Sequence, residues 1–350
     1  MTELNQEKIK QIDSENMWDL MRAFPGHWRE ARTSTVRLVF RQHVNPYSNI
    51  CILGMGGSAI GGDLISSYAY NNCPLPVLVN RNYDLPAWVG ENTLVIVSSY
   101  SGDTEETLKA YEVARDRKAG IICISTGGEV MRLAEKYGHD RIFIPGGMTP
   151  RAALAYNFIP LFRIFQHYGF ISDTDEILEE TAAFLDEQAG LLSNYRGNEA
   201  LDLADTIADT LPIVYSNSTF LAPVNLRWRG QLEENAKILA YGNLFPEVSH
   251  NEIVGWERIA HLTGRISVIM LRDEDDNPRV KRLMEMTEEL IKDHVSSLTV
   301  LTTQGPNRLA RLFSLIQVAD WTSLYLALIN ESDPTPITKT DLLKYRLSEE

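Results

Sequence analysis

Cysteine is scarce in this chain of 350 residues: Cys51, Cys73 and Cys123 are its only three, too few for a disulfide framework. Cys51 and Cys123 fall inside predicted core strands, where buried free thiols are expected. Long apolar runs are missing too. None approaches the roughly eighteen consecutive apolar residues of a membrane span. The polar start Met1-Thr2-Glu3-Leu4-Asn5-Gln6-Glu7 lacks the apolar core of a signal peptide. Positive charge is in short supply, with 33 Lys and Arg against 47 Asp and Glu, a net charge of −14. That excludes the basic face a nucleic-acid or anionic-membrane surface requires. A cytoplasmic protein with no nucleic-acid or membrane partner is expected.

What is present reads as an ordinary globular chain, 44% apolar and 23% charged. Its length exceeds one core of ordinary size and points to two domains. Residues 1–43 read as an N-terminal helical segment, with Ile9, Ile12, Met17, Leu20, Met21 and Phe24 at helical spacing and Pro25-Gly26 breaking the run. Over 44–155, strands at 50–54, 76–80, 93–98, 120–124 and 141–144 alternate with helices at 58–69, 104–116 and 128–136. That alternation predicts a doubly wound parallel sheet. Residues 156–195 read as an acidic helical linker. In 196–332 a second alternating unit has strands near 211–215, 266–271 and 298–301 and helices at 222–239, 278–293 and 307–329. Residues 333–350 form a Pro-stiffened turn and a short terminal helix. The fold class is therefore α/β, two flavodoxin-like three-layer sandwiches after a helical start.

Two loops carry the chemistry. Gly54-Met55-Gly56-Gly57-Ser58-Ala59 follows the apolar strand Ile50–Leu53. Ser98-Ser99-Tyr100-Ser101-Gly102-Asp103-Thr104 follows Thr93–Val97. Glycine allows a sharp turn and close approach, hydroxyls add short donors, and a following helix offers free N–H groups and its positive end to an anion. Together they describe a pocket for one phosphate group. The first loop also satisfies a dinucleotide pattern, and Arg81 after the second strand suits a 2′-phosphate. A dinucleotide leaves Ser99, Ser101 and Thr104 unexplained. A plain N-cap, with Ser101 merely starting a helix, explains one hydroxyl and not three. The acids Asp103, Glu105 and Glu106 beside this loop must face away from a bound anion. The opening Val214-Tyr215-Ser216-Asn217-Ser218-Thr219 echoes the first loop without its glycines.

These loops resemble those of the sugar isomerase (SIS) domain family. With Pro150-Arg151-Ala152-Ala153-Leu154, Glu233-Glu234-Asn235-Ala236-Lys237 and Pro246-Glu247-Val248-Ser249-His250-Asn251-Glu252, residues 45–346 resemble its bifunctional phosphoglucose/phosphomannose isomerases. The resemblance implies two SIS domains. It implies aldose–ketose isomerisation of six-carbon sugar phosphates through a cis-enediolate, without metal or cofactor, in a homodimer. It assigns phosphate binding to Gly57, Ser58, Ser99, Ser101 and Thr104.

Glu234 then serves as the base, on a helix whose Val224, Trp228, Leu232 and Ala236 make a buried stripe and whose Arg227 lies on a ligand-facing side. Arg151 holds the enediolate oxygens, just after Thr149, where relatives often carry Gln. His250 and Lys344 open the ring, with His250 reaching the neighbouring subunit's site. Thr335 or Thr338, or the nearby Thr340, makes room for mannose phosphate. Each has a plainer alternative: a solvated helix acid for Glu234, a helix-start salt bridge for Arg151, a surface histidine for His250 and a solvated lysine for Lys344. Two other functions compete, a non-catalytic sugar-phosphate sensor and an NADP-linked oxidoreductase. A sensor of this kind usually carries a basic recognition helix, and residues 1–43 hold none.

Overall fold

The structure is a computed structural model that describes residues 4–36, 38, 40, 46–258, 262–347 and 349. The chain forms two compact units: one comprises Ala23–Asp186 and Pro306–Ala310, the other Met1–Arg22, Glu187–Gly305 and Arg311–Glu350. Three helices come first, α1 (Gln6–Ile12), α2 (Met17–Arg22) and α3 (Phe24–Thr35). The expected helical segment 1–43 lies partly outside the described residues. Pro25 does not break the helical run as expected. It sits in the first turn of α3, where its missing N–H costs nothing, and the break falls at Ala23.

The first unit is built on β1 (Asn49–Leu53), α4 (Gly56–Ala69), β2 (Val77–Asn80), β3 (Thr93–Ser98), α5 (Glu105–Asp116), β4 (Gly120–Ser125), α6 (Gly128–Tyr137), β5 (Asp140–Phe143) and α7 (Leu154–His167). All five strands are parallel, in the order β2-β1-β3-β4-β5. Ile52 pairs with Val79 on one side and Ile96 on the other. β3 and β4 are buried along their whole length, which is why they read as unbroken apolar runs. Leu53, Val95, Val97, Cys123, Tyr111 and Met131 fill one face of the sheet. Burial pushes the Cys51 and Cys123 thiols up to about 12, so both are inert core groups.

The connecting helix α8 (Asp175–Leu192) and α9 (Glu199–Ile207) lead into β6 (Leu211–Asn217), α10 (Ala222–Glu234), β7 (Tyr241–Phe245), α11 (Glu252–Gly255), β8 (Ile266–Arg272), α12 (Pro278–Ile291), β9 (Ser297–Thr302), α13 (Arg308–Ile329) and α14 (Thr338–Leu347). The parallel order β7-β6-β8-β9 repeats the winding of the first sheet, less its fifth strand. β7 is a strand the apolar pattern misses, because Tyr-Gly-Asn-Leu-Phe at a half-exposed edge makes no continuous apolar run. Correspondingly α10 ends at Glu234, short of the expected 239. Helix α13 is long and apolar enough to cross a membrane, yet 94% of its apolar window is buried inside the protein, as in a core helix.

Within the second unit, Val224, Trp228 and Leu232 of α10 are fully buried, and Trp228 Nε1 donates to Leu315 O at 3.1 Å. Arg227 does not face a ligand. It is buried, and its Nε and Nη2 donate to the Asp320 carboxylate at 3.0 and 2.7 Å, with Gln231 Nε2 adding a bond of 2.9 Å. Trp18 of α2 stacks on Tyr195 and meets Trp321 and Tyr325 edge-on, seating α2 in the same unit. Removing one partner of a buried pair leaves an uncompensated charge. Asp320→Ala is therefore expected to destabilise by about 3 kcal/mol, read as a lowered urea midpoint.

Candidate active site

In the first unit the two loops are one structure. Ser58 Oγ, in the first turn of α4, accepts the Tyr100 N–H at 3.1 Å and so joins the loop after β1 to the loop after β3. Ser99 Oγ accepts from Gly102 N at 3.2 Å and donates to Thr104 Oγ1 at 3.3 Å, and Ser101 Oγ accepts from Asp103 N at 3.3 Å. Ser58 and Ser99 are buried, Thr104 is half-buried and Ser101 is exposed. Gly102 has a φ of +81°, and a Cβ there would run into the Gly127 carbonyl oxygen. The loop after β3 is thereby locked against the loop after β4.

Both loops end in helix N-termini that no side chain closes. The N-cap of α4 is Met55 and that of α5 is Thr104, neither making a side-chain cap bond. Ser101 is thus not a cap for α5. By contrast α1, α9 and α12 are closed by the Asn5, Asn198 and Asn277 side chains. Open N–H groups at two helix ends, joined through Ser58, suit a phosphate.

The acids near the loop are turned elsewhere. Asp103 Oδ1 accepts from Glu129 N at 2.8 Å, in the first turn of α6, and Glu105 is exposed. A Cβ on Gly57 would lie 2.8 Å from the Pro150 carbonyl oxygen and 3.3 Å from Arg151 N, so the absence of one lets the Pro150-Arg151 backbone pack directly on the first loop. Arg151 itself is only 4% exposed. Arg81, the candidate for a 2′-phosphate, is paired with Asp63 of α4, with Nη1 3.3 Å from Oδ1.

The matching loop of the second unit is tied within itself. Asn217 Oδ1 accepts from Thr219 N at 3.1 Å and Leu221 N at 3.0 Å, while Asn217 Nδ2 donates to Asp276.

The second unit presents the remaining candidates. Glu234 is the last residue of α10 and is half-buried, beside the exposed Glu233, whose carboxyl burial pushes up. Thr335 is buried in a turn where Asp333 Oδ1 accepts its N–H at 3.1 Å. Lys237 Nζ, which sequence reading passed over, donates both to Glu234 O at 2.5 Å and to Pro334 O at 2.9 Å, joining the two segments. His250 ends a short 3-10 turn, Glu247–His250, and is exposed. Glu252 anchors that turn, accepting from Asn243 Nδ2 at 2.6 Å and from Tyr215 O–H, with Val248 and Trp256 in the core. Lys344, Thr338 and Thr340 lie exposed on α14. The structure thus gathers Gly57, Ser58, Ser99, Thr104 and the Arg151 backbone in one unit, and links Glu234 to the Thr335 turn in the other.

Residues 196–347 match the family described as the bacterial phospho-glucose isomerase C-terminal SIS domain. A bifunctional phosphoglucose/phosphomannose isomerase from Caldicellulosiruptor bescii is 46% identical over 86% of this chain and 89% of its own. One of the same name from Aquifex aeolicus is 34% identical over 87% of this chain and 92% of its own. The fold is shared with the C-terminal domain of glucosamine-fructose-6-phosphate aminotransferase from Francisella tularensis, at a TM-score of 0.72 and 14% identity, covering 91% of this chain and 98% of that one. The joined loops make a direct prediction. Ser58→Ala strips the Tyr100 N–H of its acceptor and is expected to weaken inorganic phosphate binding about tenfold, measured by titration calorimetry.

Proposed function

This chain belongs to the bifunctional phosphoglucose/phosphomannose isomerase family, and on that premise we propose how its own residues interconvert glucose 6-phosphate and mannose 6-phosphate with fructose 6-phosphate. The observation that carries the reading is the pair of uncapped helix ends bonded together through Ser58 and Tyr100. They hold the phosphate, with Ser58, Ser99, Ser101, Thr104 and the Gly57 N–H as donors. Holding the substrate by a non-reacting end supports precise placement of C1 and C2.

His250 and Lys344 move the proton that opens the sugar ring, which exposes the C1 aldehyde. Glu234 takes the proton from C2. The C–H electrons form the C1=C2 bond, and the aldehyde π electrons pass to O1. Arg151 stabilises the resulting cis-enediolate, since a guanidinium matches two adjacent oxygens. Return of the proton to C1 and transfer of the O2 proton to O1 give fructose 6-phosphate. C2 is planar in the enediolate, so glucose and mannose phosphates, which differ only there, converge on one intermediate. Thr335 or Thr338 near C2 sets how well the second configuration fits. The buried position of Thr335, close to the segment bearing Glu234, favours it over the exposed Thr338.

The protein acts as a homodimer, with His250 serving the partner's site. Its exposure on a well-anchored turn supports this, as do the exposed Leu342, Leu343, Tyr345 and Leu347 on α14. Fructose 6-phosphate formed from glucose 6-phosphate, with chelator present and no nucleotide, is the defining assay. Glu234→Gln is expected to lower kcat by about 10³-fold or more with phosphate binding kept; full activity in that variant would sink the role of base. Mixing inactive Glu234→Gln and His250→Ala subunits is expected to restore activity, because one site of each mixed dimer is then intact. Continued inactivity of a mixed dimer verified by mass would place His250 in its own subunit's site.

A further inference from the structure

The C-terminal end of α10 is held in an unusual way. A helix leaves its last carbonyls without intrahelical donors. Here Lys237, just past the end, turns back and donates from Nζ to Glu234 O at 2.5 Å and Asn235 O at 3.4 Å, and reaches out to Pro334 O at 2.9 Å. Its ammonium also suits the negative end of the helix. Lys237 adopts a φ of +60°, the left-handed region where glycine sits freely and a lysine does so at a cost. Backbone strain kept at a residue whose side chain makes three bonds points to use of that side chain.

The surroundings make both ends of this tie firm. Asn235 is fully buried and its Nδ2 donates to Ser323 Oγ of α13 at 2.9 Å, fixing the residue after Glu234 from the inside. On the far side, Pro334 and Thr335 are buried, and Asp333 Oδ1 closes the turn. The residues just before it are held by Lys8 of α1, whose Nζ lies 3.0 Å from Glu331. Lys237 is the cation joining these two rigid pieces.

We propose that Lys237 is a positioning residue for Glu234, tying the end of α10 to the Pro334 turn and so fixing where the carboxylate stands over the substrate. The proposal rests on the reading of Glu234 as the base. Lys237 touches no reacting atom; it acts through the backbone of the residue that does. A displacement of about 1 Å at a catalytic group costs up to 10²-fold in rate. The loss falls on turnover and not on binding, because phosphate is held by other residues.

The test compares Lys237→Met, Lys237→Gly and Lys237→Arg in the full-length protein. Lys237→Met is expected to lower kcat about tenfold, with KM within about threefold, inorganic phosphate inhibition unchanged and the protein folded. Lys237→Gly, which relieves the backbone strain but removes the ammonium, is expected to lose the same. Lys237→Arg, whose guanidinium spans the same carbonyls, is expected to recover most of it. Parental kcat in either the Met or the Gly variant overturns the proposal, as does an arginine variant no better than methionine. A loss of kcat that tracks a loss of fold and is cured by glycine overturns it as well. If Glu234→Gln keeps full activity, it is the assignment of the base that has failed, and that result is read independently of Lys237.

Discussion

A parallel sheet points the carboxyl ends of its strands one way, so every helix that follows a strand presents its N-terminus at the same edge. In the first unit that constraint places the starts of α4 and α5 beside the ends of adjacent strands β1 and β3. The rest of the site depends on leaving those starts open. The Ser58–Tyr100 bond makes one cradle of two loops. Gly57 brings Pro150 and Arg151 against the cradle. Asp103 is drawn off to close α6 instead. On the proposed reading a chain of net charge −14 holds a phosphate because oriented amides and hydroxyls supply the attraction locally.

The second unit shows the alternative solution to the same constraint. Its winding repeats the first, yet Asn217 spends its carbonyl oxygen on the N–H groups of Thr219 and Leu221. Side chains close other helix starts, as at Asn5, Asn198 and Asn277. On the proposed reading the second unit works from the other end of a helix. Glu234 stands at the C-terminus of α10, with Lys237 and Asn235 fixing the backbone on either side.

Much of this was legible in the residues. Strands buried on both faces declare themselves as apolar runs, and β1, β3, β4, β6 and β8 did so. The paired loops were legible too, since glycines and hydroxyls at a strand end have few other uses. What escaped depended on partners far along the chain. Arg227 looked available because Asp320, which neutralises it, lies 93 residues away. Arg81 looked suited to a nucleotide because nothing marked Asp63 as its partner. β7 escaped because an edge strand needs no apolar alternation when half of it faces solvent. The bonds of Lys237 escaped because a left-handed φ leaves no trace in a residue that is not glycine.

The open starts of α4 and α5 have a consequence for how the protein responds to a phosphate ligand. An empty anion cradle gains stability as ligand concentration rises above its dissociation constant, about 2.7 kcal/mol at a hundredfold excess. On the proposed reading, sugar phosphate level therefore acts as a thermostat for the first unit. When sugar phosphate is depleted, that unit loses this share of its stability and is expected to open more readily to proteases.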